Sequence, residues 1–154
     1  MSGFVGDIRG KVDSKGRVVL PSAFKKKLSA EGSEKFVVKK DIYDNCLVLY
    51  PEREWDRQVA LIKKKLNPYN RAHNMFLRKF FKEAVEVELD ALNRMLIPKS
   101  LLESAGIGKE VVFIGEVDKI EMWAPDELEK VDISQEEFKG LAEDIFKDLT
   151  ADDE

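Results

Sequence analysis

The sequence predicts an α+β protein made of two related ββαββ units in tandem, with helices between and after them. Three observations carry that expectation. The stretch 13–21, Asp-Ser-Lys-Gly-Arg-Val-Val-Leu-Pro, returns at 90–98 as Asp-Ala-Leu-Asn-Arg-Met-Leu-Ile-Pro. Both copies read Asp, three residues, Arg, three apolar residues, Pro, at an offset of 77 in a chain of 154. Strand and helix signals follow each copy in the same order, and self-similarity on this scale governs how every element is read. Two units are too few for a solenoid.

The segment before each Asp alternates with period 2, as a half-buried strand does: residues 8–12 in the first unit, 84–89 in the second. The three apolar residues after each Arg are strand-like again. Between them, Ser14-Lys15-Gly16 and Ala91-Leu92-Asn93 are short enough for a hairpin turn. Gly16 and Asn93 close those turns, and Gly and Asn are the residues that most readily take positive φ. Asp13 and Asp90 are placed to accept turn N–H groups and to pair with Arg17 and Arg94. Pro21 and Pro98 suit the first position of a helix, where a missing N–H costs nothing.

Residues 21–28 then read as a short helix with Phe24 and Leu28 on one face, and with Lys25, Lys26 and Lys27 in the last turn. A loop over 30–33, a strand over 36–40, a turn over 41–45 and a strand over 46–50 complete the first unit. Pro51 opens a helix with acidic residues first and Lys63, Lys64 and Lys65 last, a polarity that suits the helix dipole. Trp55, Val59, Ile62 and Leu66 form its core-facing stripe, and Asn67-Pro68 stops it. A second helix spans about 70–83. Phe76, Leu77, Phe80, Phe81 and Ala84 give it a wide apolar face for core or subunit packing, opposite a solvated Arg71, Arg78, Lys79 and Lys82.

The second unit repeats the plan. A helix over 98–105 is closed by Gly106, strands follow at 110–115 and 120–123 around a turn at 117–119, and Pro125 opens a helix as Pro51 does. Ser134 to Glu137 form a capping box for a last helix whose face is Phe138, Leu141, Ala142, Ile145 and Leu149. The acidic residues 151–154 are expected to fray. The resulting division is 7–54 and 84–127 for the two repeated units, 55–83 for the linking helices, and 128–154 for the last helix and acidic tail.

Composition excludes several classes. No apolar run approaches the ~20 residues that span a bilayer. The first residues lack a charged and then apolar leader, so no signal peptide is expected. A lone Cys46 forms no intramolecular disulfide and reads as a small core residue on a strand. One His and one Cys give no metal cluster, His73 reads as packed or solvated, and no phosphate-binding or dinucleotide loop occurs. Glu86 and Glu88 share a strand face, best explained as exposed alternation. No cofactor, metal site or catalytic constellation is expected, so an enzyme is a poor reading. The net charge of −4 conceals an asymmetry: residues 1–75 hold 16 Lys and Arg against nine Asp and Glu, and residues 76–154 hold ten against 21. The basic half favours a polyanion.

The double Asp-x-x-x-Arg pattern, with Lys15-Gly16 in the first copy and Pro four residues after each Arg, resembles the MraZ family. The likeness extends through Arg78-Lys79-Phe80-Phe81 and Glu121-Met122-Trp123, over about residues 5–130. Asn93 stands where the family's second motif usually has Gly, and Ala91-Leu92 leave that turn without a basic side chain. The resemblance implies two fused AbrB-like (SpoVT-AbrB-type) swapped-hairpin units forming one pseudo-dimeric β-barrel per chain, with chains assembled into rings. It also implies a bacterial, cytoplasmic and nucleoid-associated transcriptional regulator that binds double-stranded promoter DNA of a division and cell-wall gene cluster at short direct repeats. The family's DNA contact falls on Arg17.

The residues agree with a DNA partner. Lys15 and Arg17 project from a turn able to enter a major groove as a β-ribbon, and Arg can bond guanine bidentately. Arg9, Lys11, Lys25, Lys26 and Lys27 are expected to hold phosphates, setting position rather than sequence. Only Arg94 and Lys99 lie near the second motif, in an acidic unit, so the first unit is expected to face DNA and the second to build the barrel and ring. The rival readings are a protein-interaction scaffold of oppositely charged halves and, less well matched by two units and a short tail, an AbrB-type antitoxin.

Overall fold

The computed structural model describes residues 3–30, 32 and 35–152. The expected loop at 30–33 lies partly outside those residues, as does the acidic end at 153–154. The chain runs β1 (Phe4–Lys11), β2 (Arg17–Val19), α1 (Ser22–Ala30), β3 (Lys35–Lys40), β4 (Leu47–Pro51), α2 (Glu52–Lys65), α3 (Arg71–Lys82), β5 (Ala84–Glu88), β6 (Arg94–Leu96), α4 (Lys99–Ser104), β7 (Glu110–Val117), β8 (Lys119–Trp123), α5 (Pro125–Val131) and α6 (Gln135–Asp152). Each half therefore follows the predicted ββαββ order, with helices after each fourth strand.

Strand pairing departs from the local hairpins that adjacent segments suggest and follows the exchange between units that the family resemblance implies. Six strands form one antiparallel sheet in the order β1-β7-β8-β4-β3-β5, while β2 and β6 make a separate two-stranded ladder. β1 pairs with β7 over eight residues, from Phe4 opposite Val117 to Lys11 opposite Glu110. β5 pairs in the same way with β3, from Lys35 opposite Glu88 to Lys39 opposite Ala84. The first strand of each unit is thus lent to the sheet of the other. Of the hairpin that each motif was expected to close, the first keeps a single bridge, Val12 to Val18. Exchange covers two sheet edges that local hairpins would leave open, and it merges two small cores into one.

The pairing has an approximate two-fold symmetry. Equivalent strands meet at its centre: β4 with β8, and β2 with β6. Two equivalent bonds tie the ladder's ends, Leu20 N–H to the Asn93 carbonyl (2.9 Å) and Ile97 N–H to the Gly16 carbonyl (3.0 Å). β1 and β5 remain the sheet's edges. The closed barrel expected from the sequence is therefore an open sheet and a separate ladder enclosing a common core.

Inward residues of both layers meet there. Val18, Leu20, Phe24, Leu28, Phe36, Val38, Leu47, Leu49, Met95, Ile97, Phe113, Ile120 and Met122 are all buried in one cluster. α1 and α4 begin alike, with the Pro21 carbonyl accepting from Phe24 and Lys25, and the Pro98 carbonyl from Leu101 and Leu102. α4 ends where Gly106 turns to φ 69. There the Ile107 N–H reaches the Leu102 carbonyl and the Gly106 N–H the Glu103 carbonyl, both at 2.9 Å, the six-to-one and five-to-two bonds of a glycine helix stop.

Helices cover the sheet's other face. Trp55 of α2 stacks on Phe80 of α3 (5.7 Å, 10° between planes) and touches Tyr50 of β4 (5.6 Å). Beneath them Lys39, expected merely as a strand residue, is buried. Its ammonium donates to the Lys40 carbonyl (2.8 Å) and lies 4.3 Å from the Phe80 ring centre. Burial pushes its pKa down, while Glu83 and Asp41 pull it back up. α5 covers Cys46, Val112 and Trp123 through Leu128. Burial, with Glu121 nearby, holds the Cys46 thiol protonated. The Ser134 hydroxyl caps α6 by accepting the Glu137 N–H at 3.1 Å.

Candidate nucleic-acid interface

The two repeated motifs fold into the same turn. Asp13 Oδ1 accepts the N–H groups of Lys15 (2.9 Å) and Arg17 (2.8 Å), and Oδ2 accepts Arg17 Nε at 2.7 Å. Asp90 repeats this with Leu92 N–H (2.9 Å), Arg94 N–H (2.9 Å) and Arg94 Nε (2.7 Å). One carboxylate thus satisfies three donors, which explains why the motif needs Asp four residues before Arg. The Asp13 carboxyl is held down at about 2, first by the Arg17 backbone N–H and then by its guanidinium and the Lys15 N–H. Asp90 is lowered for the equivalent reasons, led by the Arg94 backbone N–H.

The turns differ at their last residue. Gly16 has φ 88, and a Cβ there would stand 2.6 Å from the Ile97 carbonyl oxygen. Asn93 reaches the same hand at φ 60 with its Cβ in place.

Arg17 and Arg94 were expected to serve different ends, yet the ladder brings them together. Its register sets Arg17 opposite Leu96, Val18 opposite Met95, and Val19 opposite Arg94. Val18 and Met95 are wholly buried, so the alternation turns the other four side chains outward. Val19 is 55% and Leu96 60% exposed. The two arginines stand diagonally on this ribbon, their Cα atoms about 8 Å apart by strand geometry. Each donates Nε to its own Asp, and about a third of each arginine side chain stays exposed, 33% for Arg17 and 29% for Arg94. Lys15 is exposed at one end of the ribbon, and Leu92, 65% exposed, takes its place at the other.

The remaining basic residues are not one cluster with Arg17. Arg9 and Lys11 are exposed on the outer face of the sheet, in register with Val112 and Glu110. On α1, Lys26 is exposed and Lys25 half-buried, while the Lys27 ammonium is given to the Gly3 carbonyl. What sequence reading missed is the aliphatic half of the ribbon face. The signal was present in the period of Arg17-Val18-Val19, where only the middle residue faces inward.

Chemically the face offers planar cations held rigidly beside exposed methyl groups. It holds no nucleophile with a base. Among the described residues no group of His, Cys, Asp and Glu is placed to hold a metal ion, and no helix is long and apolar enough to cross a membrane. His73 accepts the Asn67 N–H at Nδ1 (2.8 Å) between α2 and α3.

Comparison with known proteins gives a consistent answer. A family profile described as "MraZ protein, putative antitoxin-like" matches residues 4–79 and again 80–148. A protein of Bacteroides fragilis named transcriptional regulator MraZ is 37% identical over 145 residues, 94% of this chain and 92% of its own. Proteins of the same name from Phocaeicola vulgatus and Flavobacterium psychrophilum are 42% identical over 143 residues and 39% over 154. They cover 93% and 99% of this chain, and 93% and 98% of their own.

Proposed function

The chain belongs to the MraZ family, whose named members are transcriptional regulators and not enzymes, and from that premise we propose that it is a sequence-specific double-stranded DNA-binding regulator. The observation that carries the reading is the outer face of the β2–β6 ladder. A two-stranded ribbon fits the major groove, and a guanidinium held at Nε by its Asp keeps two terminal nitrogens with which to match O6 and N7 of guanine. The Asp13 and Asp90 carboxylates fix the two forks in place, so little side-chain freedom is lost on binding. Lys15 supplies a phosphate contact beside the ribbon, and Lys26 and Lys25 extend the basic surface along α1. Arg9 and Lys11 lie across the core from the ribbon and take no part in this contact. Lys27 acts through its tie to Gly3 by positioning α1.

Both arginines contribute, and the first turn contributes more, because Lys15 adds a cation where the second turn has Leu92. Each protomer therefore presents an asymmetric face. Copies arranged head to tail in a ring repeat that face with one polarity, which suits short direct repeats in a promoter. The target is the promoter of a division and cell-wall gene cluster, and the protein acts in the cytoplasm at the nucleoid.

The test is fluorescence anisotropy on the DNA upstream of the protein's own gene against scrambled DNA over a salt series, with wild type, Arg17→Ala and Arg94→Ala. The expected result is selective wild-type binding that weakens steeply with salt, at least tenfold loss for Arg17→Ala, and a smaller loss for Arg94→Ala. Equal affinity for both DNAs at every salt concentration would sink the proposal.

A further inference from the structure

Two helical surfaces outside the ladder carry opposite charge around exposed apolar side chains. The first is α6. Phe138, Leu141, Ile145 and Leu149 recur at helical spacing, and each is more than half exposed. Glu137 and Asp144 flank that stripe along one side at the same spacing. Across residues 125–152 there are three Lys and Arg against ten Asp and Glu.

The second is the outer side of α2 and α3. Phe80 faces inward under Trp55, which turns Met75 outward. Arg71, Arg78, Lys79 and Lys82 surround Met75 at spacings of three, four and seven residues. Met75 and Leu61 are exposed, and Phe76 and Phe81 partly so at the margin. Residues 52–83 hold nine Lys and Arg against four Asp and Glu. An amphipathic acidic helix and a basic face with exposed apolar side chains on the same molecule are complementary in both respects.

We infer that α6 of one copy docks on the α2–α3 face of the next copy, with Leu141 and Ile145 against Met75 and Asp144 beside Arg78 and Lys82. This rests on the self-association proposed above and names the surface through which it occurs. The two patches lie on different elements, so the contact is heterologous. Each copy gives one helix and receives one, which generates a ring if the rotation closes and a filament if it does not. The 18 residues of α6 make a rod about 27 Å long, longer than α3 and able to reach across both recipient helices. None of the residues named in the contact belongs to the ladder, so assembly and DNA binding use different side chains.

The experiment is light scattering with size exclusion on the full chain. The variants are Leu141→Asp/Ile145→Asp, which spoils the giving surface, and Met75→Asp/Arg78→Glu/Lys82→Glu, which spoils the receiving one. All five positions are exposed, and circular dichroism checks that helix content is kept. The expected outcome is a multimeric wild type and two single-chain variants that form a one-to-one pair when mixed, because one good copy of each surface then remains. A third chain, Glu137→Lys/Asp144→Lys with Arg78→Glu/Lys82→Glu, should assemble again, since both signs are reversed together. A Leu141→Asp/Ile145→Asp chain with wild-type mass overturns the inference and leaves self-association standing. Loss with that variant but not with the α3 variant would mean that α6 pairs with itself, and also overturns it. A wild type that is a single chain at every concentration overturns self-association as well.

Discussion

The turns at 13–17 and 90–94 have the same backbone, the same Asp–Arg clamp and equivalent places on the ladder, yet their tips are chemically unlike. One shows Lys15 and closes with Gly16; the other shows Leu92 and closes with Asn93. The shared part is what the fold needs. Asp accepts three donors in each copy at nearly equal distances, and Arg17 and Arg94 are then set outward by the same alternation. The unlike part differs in its side chains, while Gly16 and Asn93 make equivalent backbone bonds to Ile97 and Leu20; only at Gly16 does the Ile97 carbonyl leave no room for a Cβ. The two repeats thus share the scaffold and differ at the surface, so the ribbon face runs from a cation at Lys15 to an aliphatic group at Leu92.

Four measurements would break or sharpen that contrast. The largest effect belongs to the turn closures. Gly16→Ala should lower stability by about 3 kcal/mol, since it adds positive-φ strain to a backbone clash, whereas Asn93→Gly should change it by less than about 1 kcal/mol. Urea unfolding of the pair decides this, and equal losses would mean that the close approach of Gly16 to Ile97 is not a feature of the folded protein. Next come the arginines. Loss of a bidentate base contact costs about 1–3 kcal/mol, so Arg17→Ala should weaken promoter binding tenfold to a hundredfold. Arg94→Ala should cost less, and a reversed order would assign the stronger role to the second turn.

Smaller still is Leu92→Lys, which gives the second tip the first tip's charge. It should tighten binding on specific and scrambled DNA alike and steepen the salt slope by about one phosphate's worth; an unchanged slope would place Leu92 away from the backbone. The least effect is the acid titration of the clamps. Both carboxyls are lowered in the fold, so their stabilisation is complete above the ordinary Asp value of 3.8. For Asp13 it is lost as pH falls from there through about 2, and for Asp90 through its own lowered value. Carboxyl NMR should find Asp13 titrating near 2. Arg17→Ala should raise it only partway toward 3.8, because the first cause is the residue-17 backbone N–H, which alanine keeps. Full return to 3.8 would make the side chain the dominant partner instead.

Much of this architecture was legible in the residues. Alternation, proline and glycine positions and the capping box are local signals, and they located the strands, the helices and the turns to within a few residues. Gly106 as a helix stop and Ser134 as a cap need no knowledge of the rest of the chain. The pairing of strands was different. Residues 8–12 and 18–20 look like a hairpin because they are adjacent and the turn between them is short, and the structure keeps the turn while sending the two strands to different partners. Nothing local distinguishes the two outcomes, since β1 presents the same inward face to either. Lys39 is a similar case: its burial depends on α2 and α3 folding back over the sheet, and nothing in Lys35-Phe36-Val37-Val38-Lys39-Lys40 sets it apart from its neighbour Lys40.

The candidate site divides along the same line. Asp13, Arg17, Asp90 and Arg94 could be named from a repeat, because the spacing that lets one carboxylate take three donors is a property of five consecutive residues. That Arg17 and Arg94 share a face with Val19 and Leu96 could not, because it follows from β2 pairing with β6 across 77 residues of chain. By itself the sequence determined the periodicities, the caps and the Asp–Arg clamps, all of which are satisfied within a few bonds of where they are written. Only the tertiary structure decided which edge each strand would cover, since that choice depends on how much apolar surface two half-size cores bury when they become one.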